Sequence, residues 1–286
     1  MVLFFYLRKH YTLKTKTLYF LLLTMPMLFT GCGNQGNNDQ SNGDTSQATQ
    51  KMTSEQTDWI NLLDEEHAAK WRGFNGETLP PGWTVNDGML YYDTELKLEQ
   101  DYTGGKDVVY GGEKFDYFDF SVEWKIPEGG NSGIFYHVQE GDKFKSPSGV
   151  SPEYQLIDDE NYASIHDLVG YNSQFGAEHP EQLQDWQMTG ADYAMHTVEV
   201  DNKVLHPTGE WNTSRIVVAP DRTEHWLNGV KLLSFEHGSE DWNKRRNAGK
   251  WDKYPDYGKF RNGLIGFQDH GSSLWFRNIK IRRIAQ

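Results

Sequence analysis

The sequence predicts an all-β domain of sandwich or barrel type, and three observations carry that prediction. Apolar and polar residues alternate with period two along most of the chain after Trp71, the pattern of half-buried strands. Turn chemistry recurs at short intervals, with 28 Gly and 10 Pro in 286 residues. Helical periodicity is confined to short stretches, and many short strands close into a sandwich or barrel. One domain fits the length, since all-β units run to roughly 200–250 residues. The net charge of −13 argues against binding a phosphate backbone, so no nucleic-acid partner is expected. A single cysteine excludes an internal disulfide and any cysteine-rich zinc module.

Residues 1–31 carry Arg8, Lys9, Lys14 and Lys16, no acidic residue, and an apolar run from Leu18 to Phe29. This is a signal segment, too short to span a bilayer, which needs about 20 apolar residues. It ends in Leu28-Phe29-Thr30-Gly31-Cys32, which resembles the lipobox of bacterial lipoproteins with Cys32 as the lipidated residue. The lipid would be the only membrane attachment. Gly33, not Asp, follows Cys32, which disfavours inner-membrane retention. The expectation is an exported protein anchored to the outer membrane. Without the signal, 24 basic residues face 41 acidic ones, a formal −17, and such a chain suits a neutral ligand.

Residues 32–54 are polar, with Ala48 the single apolar residue between 33 and 50. They read as a flexible tether, and the folded domain is expected over 55–286. Residues 55–70 place Trp59, Leu62, Leu63 and His67 on one helical face, which predicts a short N-terminal helix.

Strands follow. Phe118, Phe120, Val122, Trp124 and Ile126 alternate with polar residues. Pro127-Glu128-Gly129-Gly130 breaks that strand, and Ile134 to Val138 resumes. Met195 to Val200 and Arg215 to Val218 also alternate. Pro220-Asp221-Arg222 predicts a hairpin into Thr223–Leu227, and Asn228-Gly229 a second one. Leu264–Gln268 and Leu274–Ile281 are the last two strands.

Residues 159–194 and 236–262 are long, polar insertions, a type usually functional in compact domains. The first carries Tyr162, Tyr171, Trp186 and Tyr193, the second Trp242, Trp251, Tyr254 and Tyr257. Such rings either stack on sugar faces or pin the loops to the body.

Three clusters carry candidate chemistry. Along Asn131-Ser132-Gly133-Ile134-Phe135-Tyr136-His137, Phe135 and His137 are expected to share one face of a strand. In Glu153-Tyr154-Gln155-Leu156-Ile157-Asp158, Glu153 and Gln155 share a face, with Asp158 at the strand end bending to the same side. A carboxylate beside an amide suits binding or general-base work, or is a solvated strand face. It does not supply the carboxylate pair, about 5 Å apart, of retaining glycosidases. Gln268-Asp269-His270-Gly271 places His270 as an acid/base candidate or as a turn cap on Asp269.

The run NSGIFYH (131–137), EYQLID (153–158), TGADY (189–193), PTGEWN (207–212), HWLNG (225–229), FQDHG (267–271) and FRNIKI (276–281) resembles the 3-keto-disaccharide hydrolase domain family, over roughly residues 58–284. The resemblance implies a concanavalin-like jelly roll of two curved antiparallel sheets. It implies a carbohydrate substrate already oxidised to a ketone at sugar C3. It puts Glu153, His137, Asp158 and His270 forward as catalytic, and Asn131, Ser132, Gln155, Tyr193, Gln268 and Asp269 as substrate-binding. A divalent cation on His137, Glu153 and Asp158 is a second route to polarising the ketone. The chain departs from the family in one place, with His137 where many members carry Arg. A non-catalytic carbohydrate-binding lipoprotein on the same fold is the alternative reading.

Overall fold

The computed structural model describes residues 58–99, 106–198, 201 and 203–285. The signal segment, Cys32 and the tether expected over 1–54 lie outside the described residues. Two antiparallel sheets face each other. The larger one joins β1 (Ile60–Asn61), β3 (Trp83–Asn86), β4 (Met89–Tyr92), β6 (Phe118–Lys125), β9 (Asn212–Val218), β10 (Thr223–Leu227), β11 (Val230–Phe235) and β13 (Leu274–Arg283). Its order is β11-β10-β9-β6-β13-β4-β3, with β1 also on β13. The smaller one joins β2 (Trp71–Gly73), β5 (Val108–Tyr110), β7 (Asn131–Val138), β8 (Glu153–Ile157) and β12 (Leu264–Phe267). Its order is β2-β5-β12-β7-β8.

Period-two alternation puts one row of each strand into the space between the sheets. Phe118, Phe120, Val122 and Trp124 of β6 meet Ile134 and Tyr136 of β7 and Tyr154 and Leu156 of β8 in one buried cluster. Each such side chain contributes about 1.5–3 kcal/mol by leaving water. Both predicted hairpins form, β9–β10 and β10–β11. Asn228 and Gly229 take φ of 47° and 83°, the two left-handed residues that match the twist of paired strands.

The helix expected over 55–70 is reduced, among its described residues, to one 3-10 turn at Ala68–Lys70. Sheet pairing overrides the helical pattern: Ile60 pairs with Ile281, and the Leu62 amide bonds Ile279 O at 2.8 Å. The Asp64 carboxylate then caps the amides of Glu66 and His67, both at 3.0 Å, and tightens the turn. The strand expected from Met195 is a turn over its described residues. Ala194 has a φ of 58°, and the Met195 and His196 amides both bond back to Asp192 O.

The helices are short. After α1 (Thr94–Glu99), the 159–194 insertion holds α2 (Tyr162–Ile165) and α3 (Val169–Asn172), and the 236–262 insertion holds α4 (Glu240–Ala248). Ser239 caps α4 through its hydroxyl, which accepts from the Trp242 amide at 3.2 Å.

Candidate active site

β7 and β8 pair so that Asn131 faces Ile157, Gly133 faces Gln155 and Phe135 faces Glu153. Directly paired residues project to one side of a sheet. Ile134 and Tyr154 project into the core, so Asn131, Gly133, Glu153 and Gln155 occupy the outer face. The insertions wall that face into a pocket of about 470 Å³. Glu153, Gln155 and Asn131 lie in it with Tyr162, Tyr171, Tyr193, Lys250, Gln268 and His270.

The polar floor is tied together. Gln155 Nε2 donates to Asn131 Oδ1 at 3.2 Å, and Asn131 Nδ2 donates to the Tyr162 hydroxyl at 3.2 Å. The Gln268 amide bonds Gly133 O at 2.9 Å, which brings Gln268 beside β7. On the wall, the Tyr171 and Tyr193 hydroxyls are 2.9 Å apart. Lys250 Nζ stands 4.4 Å from the Tyr193 ring centre and 4.6 Å from that of Trp251, within cation–π range.

Glu153 is 2% exposed. Burial pushes its carboxyl up to about 8, and the positive charge of Lys250 opposes the rise. A Cβ on Gly133 would overlap Glu153 Oε1, so the acid lies across the one position on β7 that lacks a side chain. Burial raises the Tyr193 hydroxyl well above its ordinary value. His270 stands exposed at the rim, and crowding on its inner side lowers its pKa.

Four expected site residues lie elsewhere. His137 does not share a face with Phe135. The register of β7 against β12 shifts between Leu264 and Gly266, and His137 takes a φ of 57° at the resulting bulge. Its ring turns inward against Phe118 and Tyr136, Nε2 bonds Asp116 O at 2.9 Å, and the residue is 1% exposed. Burial holds it neutral, with its pKa lowered to about 4. Ser132 points inward too, and its hydroxyl donates to Gln268 O at 2.8 Å. Asp158 is a cap: its carboxylate accepts from the Gly129 amide at 2.8 Å, the Glu160 and Asn161 amides at 3.2 and 3.1 Å, and Asn161 Nδ2 at 3.0 Å. Asp269 braces its loop, accepting from the Lys106 and Gly271 amides, each at 2.9 Å.

His137, Glu153 and Asp158 therefore point to three different places and do not form the metal site expected of them. Among the described residues no three His, Cys, Asp or Glu side chains gather in a metal-binding group.

The rings divide. Tyr162, Tyr171 and Tyr193 line the pocket, whereas Trp242, Trp251 and Tyr257 form a buried cluster that pins the second insertion. Trp251 and Tyr257 stack at 3.8 Å. Sequence reasoning missed Lys250, a single lysine in a polar loop with no spacing to mark it. It also missed Asp107, whose carboxylate accepts from the Asp269 amide at 2.9 Å and is raised by burial to about 7.

Residues 58–282 match the 3-keto-alpha-glucoside-1,2-lyase-like domain. A 3-keto-disaccharide hydrolase of Bacteroides thetaiotaomicron is 30% identical over 242 residues, which cover 78% of each chain. A crystal structure from Parabacteroides distasonis, provisionally described as a glycosyl hydrolase, is 42% identical and superposes with a TM-score of 0.66 over 79% of this chain and 93% of the other. A second structure from that organism, with the same description, is 22% identical and has a TM-score of 0.55 over 79% of this chain and 100% of the other, which shows a shared fold. With the family match spanning most of the chain and a relative at this identity along three quarters of it, the protein belongs to the 3-keto-alpha-glucoside-1,2-lyase-like domain family.

Proposed function

We propose that this protein is an enzyme that cleaves glycosides carrying a ketone at sugar C3, with Glu153 handling the C2 proton. The family and the name of the Bacteroides relative support the substrate class. The observation that carries the residue assignment is a buried carboxyl on the pocket floor, raised to about 8. A general acid or base works best with a pKa near the working pH.

The chemistry closes on the residues present. A C3 ketone acidifies the C2 proton. The ionised Glu153 takes that proton, and the C–H electrons move into the ketone to form an enolate. The ammonium of Lys250, in the same pocket, offsets the developing negative charge. Re-forming the ketone expels the C1 oxygen with its electron pair, and the departing oxygen takes up a proton, for which the N–H of the neutral His270 ring at the rim is the candidate donor, the ring then regaining a proton from water. Water adding to the enone at C1 completes a net hydrolysis. Asn131, Gln155 and Gln268 supply amides for the sugar hydroxyls.

The test is incubation of the purified protein with a 3-keto-glucoside in D2O. Aglycone release with deuterium incorporated at C2 supports elimination. Release with the C2 proton retained sinks it. Tight binding without any product favours a carbohydrate-binding protein, a reading for which the three tyrosines on the pocket wall speak.

The proposal extends to location: residues 1–31 export the chain and Cys32 carries the lipid that anchors it to the outer membrane. Labelled palmitate is then incorporated into the native protein and not into Cys32→Ser. Equal labelling, or none in either, rejects the anchor.

A further inference from the structure

Four polar atoms lie buried without a hydrogen-bond partner among the described residues where the inter-sheet core meets the ring cluster of the second insertion: Asp192 Oδ1, His225 Nε2, and the hydroxyls of Tyr136 and Tyr257. They belong to one neighbourhood. The Tyr136 and His225 rings are 6.1 Å apart. His225 Nδ1 bonds Gly190 O at 2.9 Å, two residues from Asp192. The Asp192 charge acts on Tyr136, Tyr257 and His225 alike.

Their hydrogen-bonding needs are complementary. A carbonyl oxygen only accepts, so His225 Nδ1 donates to Gly190 O. In the neutral ring Nε2 is then a bare acceptor. Asp192 Oδ2 is already used by His196 Nδ1 at 2.8 Å, which leaves Oδ1 as a second bare acceptor. The two tyrosine hydroxyls are donors in need of acceptors. Leaving a buried carboxylate oxygen unsatisfied is costly, and buried polar atoms of this kind are ordinarily bridged by water making about three hydrogen bonds. Water donates twice and accepts twice, which matches two acceptors and two hydroxyls.

We propose that Asp192, His225, Tyr136 and Tyr257 form a built site for permanently bound water behind the active-site strand. The site sits at a structurally sensitive place. Asp192 bridges Tyr154 of β8, and the next amide, that of Tyr193, bonds Glu153 O at 2.9 Å. The bound water therefore holds the segment that delivers Tyr193 to the pocket and flanks Glu153.

The deciding measurement is a high-resolution crystal structure of the protein, paired with NMR cross-relaxation between water and the Tyr136 and Tyr257 rings. The expected result is water within hydrogen-bond reach of at least three of the four atoms and a long-lived cross-peak. A direct Tyr136 or Tyr257 hydroxyl bond to Asp192 Oδ1, with no water between the groups, overturns the proposal. Tyr136→Phe is the second readout. Removing a donor to bound water lowers Tm by roughly 2–8 °C, whereas an unchanged or higher Tm marks a hydroxyl that bonds nothing and also overturns it. If Tyr136→Phe does not fold, the native structure decides alone.

Discussion

The Glu153 carboxylate lies across the bare α-carbon of Gly133 on the neighbouring strand, where any Cβ would overlap Oε1. The glycine creates the seat of the acid. Gly133→Ala is expected to push the carboxylate off its position and lower turnover of a 3-keto-glucoside by about 10²-fold, the scale of a displacement near 1 Å. Steady-state kinetics on the purified variant, beside its Tm, checks this. A folded Gly133→Ala enzyme of native turnover removes Glu153 from the chemistry.

Glu153 ties activity and stability to pH in opposite senses. Its carboxyl titrates near 8 in the folded chain against an ordinary 4.5. Between those values the unfolded chain has released the proton and the folded chain still holds it. Stability contributed by the neutral acid is thus complete below about pH 4.5 and is lost as pH rises through about 8. The base form, and turnover with it, grows over the upper part of the same window. Glu153→Gln should flatten the fall of Tm with pH and cut turnover by a factor on the order of 10². Thermal melts and rates from pH 5 to about 9 test both at once, and a variant whose Tm still follows the native pH curve refutes the assignment.

The same strands show what the sequence made legible. Alternation in β6 and β8 and the turn residues at 220–222 and 228–229 located the sheets, because those signals are local. The placement of Glu153 and Gln155 on one face followed from period two alone, whereas Asn131 joins them through the β7–β8 register. His137 did not follow: one extra residue in β7 opposite β12 turns every side chain beyond it to the other face, and no local pattern announces a bulge. Ile60 pairs with Ile281 across the length of the domain, a contact invisible to a helical count over 55–70. Lys250 reaches Tyr193 only because the second insertion folds back over the first.

His137 is therefore a stability residue. Its pKa near 4 in the fold, against an ordinary 6.5, means the ring is kept neutral; that contribution is present above about 6.5 and is lost as pH falls toward 4. His137→Gln forfeits ring packing against Phe118 and Tyr136 and should lower Tm. Turnover per folded molecule should stay within a few-fold of native, because the side chain does not enter the pocket. Denaturation curves with active-site-normalised rates separate the two effects. A 10²-fold loss in rate with native Tm returns His137 to catalysis.

Lys250 sets how far Glu153 is raised. Burial drives the carboxyl upward and the lysine charge pulls it down, so Lys250→Gln removes the opposing influence and moves the activity midpoint to higher pH. It also removes the cation assigned to the enolate in the proposed elimination, so the limiting rate should fall by about 10–10²-fold. Lys250→Arg keeps the charge beside the Tyr193 ring and should restore the midpoint better than the rate, since a guanidinium spreads its charge over a rigid fork. A pH–rate profile of the three proteins distinguishes these effects. If Lys250→Gln shifts the midpoint downward, the carboxyl being titrated is not Glu153. If the midpoint and rate are both native, the lysine only packs on the tyrosine.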